Sequence, residues 1–236
     1  MFGRSGSDHE TPDMTARLQI AALVSGPSRG TNLQAILDAC AAGQIAGQVA
    51  LVIGTRADAP ALDRATAAGA VVAIVSPRKY ADDEAGYAAA LLRLLRRHDI
   101  GLICLVGYMC KLPLPVINAY PHRILNVHPA LLPLFGGQGM FGEHVHQAVI
   151  ESGMKVSGCT VHFVEEQYDS GPIIAQSAVP VLDTDTPQSL AARILPEEHR
   201  TYVRAIRLYA EDRLRIVGQR VTVVPPRTPD LQLETE

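Results

Sequence analysis

The chain has 236 residues, 47% of them hydrophobic and 19% charged, which suits one large packed core and excludes a disordered chain or a fibrous repeat. Its 21 Lys and Arg against 24 Asp and Glu leave a formal charge of -3, so no global attraction to nucleic acid is expected. Four cysteines, Cys40, Cys104, Cys110 and Cys159, lie far apart with no C-x-x-C pair, which argues against a zinc ribbon and for reduced thiols in a cytoplasmic protein.

The opening stretch, residues 1–16, has no apolar core of the signal-peptide kind and reads as a flexible leader. No run approaches the roughly 18 apolar residues that a membrane span needs. From Leu18 the sequence alternates β-branched runs of strand length with Ala- and Leu-rich stretches of helical spacing. Strands are predicted at Leu18 to Val24, Val49 to Ile53, Val71 to Val75, Leu102 to Val106 and Ile124 to Val127. Between them fall helices at Asn32 to Ala42, Ala59 to Ala68, Asp82 to His98 and Leu114 to Ala119. Continuous apolar strands with helical crossovers predict a parallel sheet covered on both faces.

After Pro129 the rhythm changes. A Gly-rich segment, residues 136–142, leads into a helix at Glu143 to Ser152, and strands at Ser157 to Val164 and Ile173 to Val179 predict an antiparallel extension. The last helix should start at Pro187 behind Thr186, be broken or kinked at Pro196, and continue to Arg215. An edge strand is expected within Gln219 to Val224. The reading is therefore one Rossmann-like α/β domain over residues 17–225, mostly parallel with an antiparallel C-terminal extension, followed by a flexible tail at 226–236.

Three segments could carry chemistry. In SGPSRGTN, from Ser25 to Asn32, a strand passes into a helix through glycines, and Ser28, Arg29, Gly30 and Thr31 offer donors and a cation at the helix start. This is either a cradle for an anion such as phosphate or an ordinary Gly-rich turn. In ILNVHP, Asn126 and His128 stand two apart on a strand and so share a face, at the carboxyl end where open α/β sheets bind ligands. An amide donor beside an imidazole suits a developing oxyanion and a proton relay, or else satisfies loop carbonyls. In TVHFVEEQYDSGPI, Asp169 either orients His128 or serves the turn before Gly171, and His162 reads more simply as a structural histidine. His144 and His146 stand i, i+2, the wrong spacing for a helical metal pair, and no metal is expected.

Taken in order, VSG…TNLQAI, LNVHPALLPLFGG and TVHFVEEQYDSGPII, with a weaker echo in PEEHRTY, resemble the glycinamide ribonucleotide formyltransferases, a folate-dependent family, over about Leu18 to Arg215. The resemblance implies a formyltransferase fold and transfer of a formyl group from 10-formyltetrahydrofolate to glycinamide ribonucleotide in purine synthesis. It implies catalytic roles for Asn126, His128 and Asp169. Ser28, Arg29, Gly30, Thr31 and Asn32 would hold the substrate phosphate and Glu198 the glycinamide part. Tyr108, Met109, Cys110 and Lys111, with Glu165, Glu166, Gln167 and Tyr168, would line the pterin pocket, and Arg78 would sit near the folate tail. The implied partners are these two small molecules, with no nucleic acid and no membrane, and a homodimer is left open. The first loop is longer than the common family form, and Ala130 stands where many relatives carry Ser. Two rivals remain: a formyltetrahydrofolate hydrolase, less expected because so little chain precedes Leu18, and a non-catalytic sugar-phosphate-binding protein.

Overall fold

The computed structural model describes residues 17–26 and 28–226; the expected leader, and the expected tail from residue 227 onward, lie outside the described residues. Five strands form the parallel half of one sheet: β1 (Leu18–Val24), β2 (Gly47–Gly54), β3 (Val71–Ile74), β4 (Leu102–Leu105) and β5 (Ile124–His128). Their crossovers carry α1 (Thr31–Ala41), α2 (Ala61–Ala67), a short 3-10 turn at Pro77–Tyr80 with α3 (Glu84–Arg97), and α4 (Leu114–Ala119). Then come α5 (Glu143–Glu151), β6 (Val156–Phe163), β7 (Ile173–Pro180), α6 (Pro187–Ala210), β8 (Leu214–Val217) and β9 (Arg220–Val223). The nine strands run β3-β2-β1-β4-β5-β6-β7-β9-β8, with β6 antiparallel to both β5 and β7.

The alternation along β1 shows why both faces are covered. Ile20, Ala22 and Val24 pack into a core with α1, α2 and α6, whereas Ala21 and Leu23 face a second core under α3 and α4. All five side chains are fully buried, and each large one contributes about 1.5–3 kcal/mol through the water it sheds. Tyr202 of α6 lies fully buried in the first core and donates its hydroxyl to the carbonyls of Leu105, the last residue of β4, and Leu125 in β5.

Pro196 does not break α6: it lies on the exposed side, and Leu190, Ile194, Tyr202 and Ile206 anchor the helix before and after it. Nor does the helix reach Arg215. Asp212 adopts φ 52° and the amide of Arg213 donates back to the Leu208 carbonyl, so the chain turns and Leu214 opens a strand. That strand, β8, is the true edge of the sheet; β9, the predicted edge, lies inside it and meets β7 through the single pair Ile173 and Arg220. Thr186 caps α6 as expected, in a reciprocal box with Ser189.

Strand order reverses between β1 and β4, which opens a crevice beyond their carboxyl ends. The loop after β1 and the segment after β4 are locked together there. Ser25 Oγ accepts from the Met109 amide at 2.9 Å, and Gly107, at φ 59°, sits so close to Ser28 that a Cβ would come within 2.7 Å of its hydroxyl.

Candidate active site

Antiparallel pairing of β5 with β6 puts Asn126 opposite His162 and His128 opposite Thr160, so four polar side chains share one face of an otherwise apolar sheet. His128, His162 and Thr160 are buried. His162 fixes its ring by donating from Nδ1 to the Phe163 carbonyl at 2.8 Å, which leaves Nε2 to accept from Asn126 Nδ2 at 3.2 Å. His162 thus has both ring nitrogens engaged, as its structural reading expects, and the strand register, a long-range property, also places it beside Asn126.

Thr160 works beneath this layer. Its hydroxyl donates to the Ala130 carbonyl at 2.7 Å and accepts from the Leu132 amide and Gln176, which holds the His-Pro loop against β6. Ala130 contributes its carbonyl to this clamp and its methyl is fully buried.

Asp169 arrives from the loop between β6 and β7, in a left-handed conformation of φ 54°. Its Oδ1 lies 3.5 Å from His162 Nε2 and its Oδ2 lies 3.6 Å from His128 Nδ1. Oδ2 also accepts from the Gly137 amide at 2.9 Å. Gly136 permits that approach, since a Cβ there would lie 2.6 Å from Leu132 and 3.1 Å from Asp169. Burial pushes the Asp169 carboxyl up, but the charge of His128 and the Gly137 amide are among the contacts that outweigh it and leave the carboxyl below its ordinary value.

His128 Nε2 donates to the Phe135 carbonyl at 2.7 Å, so the neutral ring carries its lone pair on Nδ1, beside Asp169. Burial depresses its pKa, and the opposing pull of Asp169 and the Phe135 carbonyl does not restore it. The free protein thus pairs an ionised carboxylate with a neutral imidazole at neutral pH, a proton acceptor rather than a ready-made cation.

This cluster floors a cavity of about 520 Å³. One wall is the segment after β4, with Tyr108, Met109, Cys110 and Lys111; another is Glu165 to Asp169; a third is the Gly-rich stretch 137–142, which sequence reading left without a role. Asn32 and Glu198 line it too, joined by a 2.8 Å hydrogen bond from Asn32 Nδ2. Burial raises the Glu198 pKa against the opposing pull of that donor. Ser28, Arg29, Gly30 and Thr31 do not line the cavity. Gly30, at φ 69°, faces α2, where a Cβ would fall 2.7 Å from Ala61, so packing by itself requires a glycine there. Arg78 is exposed on the 3-10 turn and outside the cavity, whose one lining Lys or Arg among the described residues is Lys111. His144 and His146 part company on α5: His144 is exposed and stacks on Phe141, and His146 is buried in the cavity wall. Among the described residues no group of three or more His, Cys, Asp or Glu side chains is placed to hold a metal, and no helix is long and apolar enough to cross a membrane.

The formyl transferase family model matches residues 18–206. The chloroplastic phosphoribosylglycinamide formyltransferase of Arabidopsis thaliana is 40% identical over 210 residues, covering 89% of this chain and 70% of that protein. The crystal structure of glycinamide ribonucleotide transformylase 1 from Symbiobacterium toebii is 49% identical, with a TM-score of 0.82, covering 88% of this chain and 94% of that one. A formyltetrahydrofolate deformylase from Pseudomonas syringae pv. tomato shares the fold at a TM-score of 0.79 but only 23% identity. The chain therefore belongs to the formyl transferase family and, within it, to the phosphoribosylglycinamide formyltransferases.

Proposed function

We propose that Asn126, His128 and Asp169 carry out formyl transfer from 10-formyltetrahydrofolate to the primary amine of glycinamide ribonucleotide, a step of purine synthesis. The observation that supports this most directly is the Asp169–His128 pair beside Asn126 on the floor of one cavity. The cavity suits a reduced pterin, because the apolar side chains of Leu105, Leu112, Ile117 and Val164 offer a surface for a flat ring and the chain at 108–111 and 165–169 fringes it.

The amine reaches the cavity largely protonated and must lose a proton before it can attack. His128 Nδ1 accepts it, and ionised Asp169 stabilises the imidazolium that results. As the amine nitrogen bonds to the formyl carbon, the formyl oxygen becomes negative, and Asn126 Nδ2 donates to it. Collapse breaks the bond from the formyl carbon to the folate nitrogen, which takes its proton from His128. The second proton of the attacking amine leaves through Asp169 to solvent. Glu198, held by Asn32, grips the glycinamide portion. Ser28, Arg29, Thr31 and the start of α1 take the phosphate just outside the cavity. The cytoplasm is the proposed location, in keeping with four unpaired thiols.

The test is to mix the purified protein with glycinamide ribonucleotide and 10-formyltetrahydrofolate and to follow folate absorbance and formyl-glycinamide ribonucleotide together. Transfer that requires the ribonucleotide is the expected result. Formate release without it would favour the hydrolase, and phosphate-ligand binding without turnover would favour a binding protein.

A further inference from the structure

His146 is the buried polar side chain that the proposed reaction leaves unused. It is 5% exposed, stands in the second turn of α5 behind the Gly-rich wall, and lines the same cavity as His128. Among the described residues neither ring nitrogen has a hydrogen-bond partner. Nδ1 is sealed without one, which leaves Nε2 as the nitrogen the cavity can reach. A polar atom left unpaired in a core is disfavoured, and a sealed N–H is disfavoured more than a sealed lone pair. The neutral ring therefore places its lone pair on Nδ1 and its proton on Nε2. Burial and the nearby charge of His128 both lower the His146 pKa, against a smaller pull from Glu143, so the ring stays neutral.

We propose that His146 is an uncharged hydrogen-bond donor to a carbonyl oxygen of the bound reactants, through Nε2–H. A neutral donor suits this place, because a second cation would oppose the proton that His128 must take up. Two oxygens share the chemistry: the formyl oxygen that turns negative, and the amide oxygen of the glycinamide group. The assignment rests on the formyl-transfer reading of the cavity.

Three enzymes are compared by steady-state kinetics and melting: wild type, His146→Phe, which fills the space without a donor, and His146→Gln, which returns an N–H close to the Nε2 position. His146→Phe is expected to lose about 10- to 100-fold in kcat/KM for glycinamide ribonucleotide while its Tm stays equal or rises. His146→Gln is expected to recover most of the loss. A fall in kcat alone identifies the formyl oxygen as the acceptor; a rise in KM for the ribonucleotide alone identifies the glycinamide oxygen. In the intact wild-type protein, 15N signals of the His146 ring should report the neutral Nε2–H tautomer at pH 7, whatever the variants do. A charged ring, the Nδ1–H tautomer, a fully active His146→Phe, or a His146→Gln no better than Phe would each overturn the proposal. A wild type with no formyl transfer at all would overturn the functional reading beneath it, whereas an active wild type with an indifferent His146→Phe overturns this assignment alone.

Discussion

The Nδ1 atom of His128 lies 3.6 Å from Oδ2 of Asp169, although one residue ends a central strand and the other sits at the tip of a distant loop. Within the same carboxylate the second oxygen lies 3.5 Å from His162 Nε2, so one carboxylate stands between two imidazoles. Replacing it with an amide keeps the shape and removes the charge.

Asp169→Asn should lower kcat by about two to four orders of magnitude, with a circular dichroism spectrum and melting profile close to wild type. Near-normal turnover would return Asp169 to a turn-forming role and leave His128 without its partner.

The pH profile offers an independent check. His128 must be neutral to accept a proton, so kcat/KM should fall as acid protonates it, with the limb below its ordinary value because burial depresses it. Ionised Asp169 pulls the His128 pKa upward. In Asp169→Asn that pull is gone, and the acid limb of the residual activity should move to lower pH. A limb that stays in place, or moves up, would show that His128 is not the titrating group.

Gly30, one of the residues proposed near the phosphate, also packs against α2. Gly30→Ala combines a left-handed φ of 69° with a Cβ 2.7 Å from Ala61, and should cost about 1–3 kcal/mol of stability. Adding Ala61→Gly should recover part of it in denaturant titrations. Loss of ribonucleotide affinity at unchanged stability would restore the direct role.

At the entrance to α6, Asp185 receives two hydrogen bonds from Arg193, one from Ser189 and one from the Leu182 amide. The Arg193 guanidinium foremost holds its carboxyl well below the usual range, against burial. A depressed folded-state pKa means stability that is full above the unfolded value of about 3.9 and is lost as pH falls below it. The Tm gap between wild type and Asp185→Asn should therefore be constant near neutrality and close in acid. A gap independent of pH down to pH 3 would mean that shape, not charge, holds this corner.

The parallel half of the sheet was legible because its central strands, β1 and β4, are buried on both faces and read as apolar runs. Asn126 and His128 were legible as a pair because strand geometry alone puts them on one face. His162 was not, since only the register of β5 against β6 brings it to Asn126. The Gly-rich wall was not either, because Gly136 and Gly137 act through backbone placement and carry no chemistry to recognise. Leu214 and Arg215 look helical in sequence, and a left-handed Asp212 overrules that pattern.

Tyr202 and Glu198 stand one turn apart on α6. The tyrosine hydroxyl braces β4 and β5 at the Leu105 and Leu125 carbonyls, and the glutamate lines the cavity. One helix thus carries both a support beneath the cavity floor and the carboxyl proposed to grip the acceptor. Variation that slides or tilts this helix must move both in concert, so on the proposed reading acceptor selectivity cannot drift through α6 without donor fit drifting with it. Independent tuning is left to the loops at 108–111 and 137–142, and that is where divergence between relatives of differing substrate preference should accumulate.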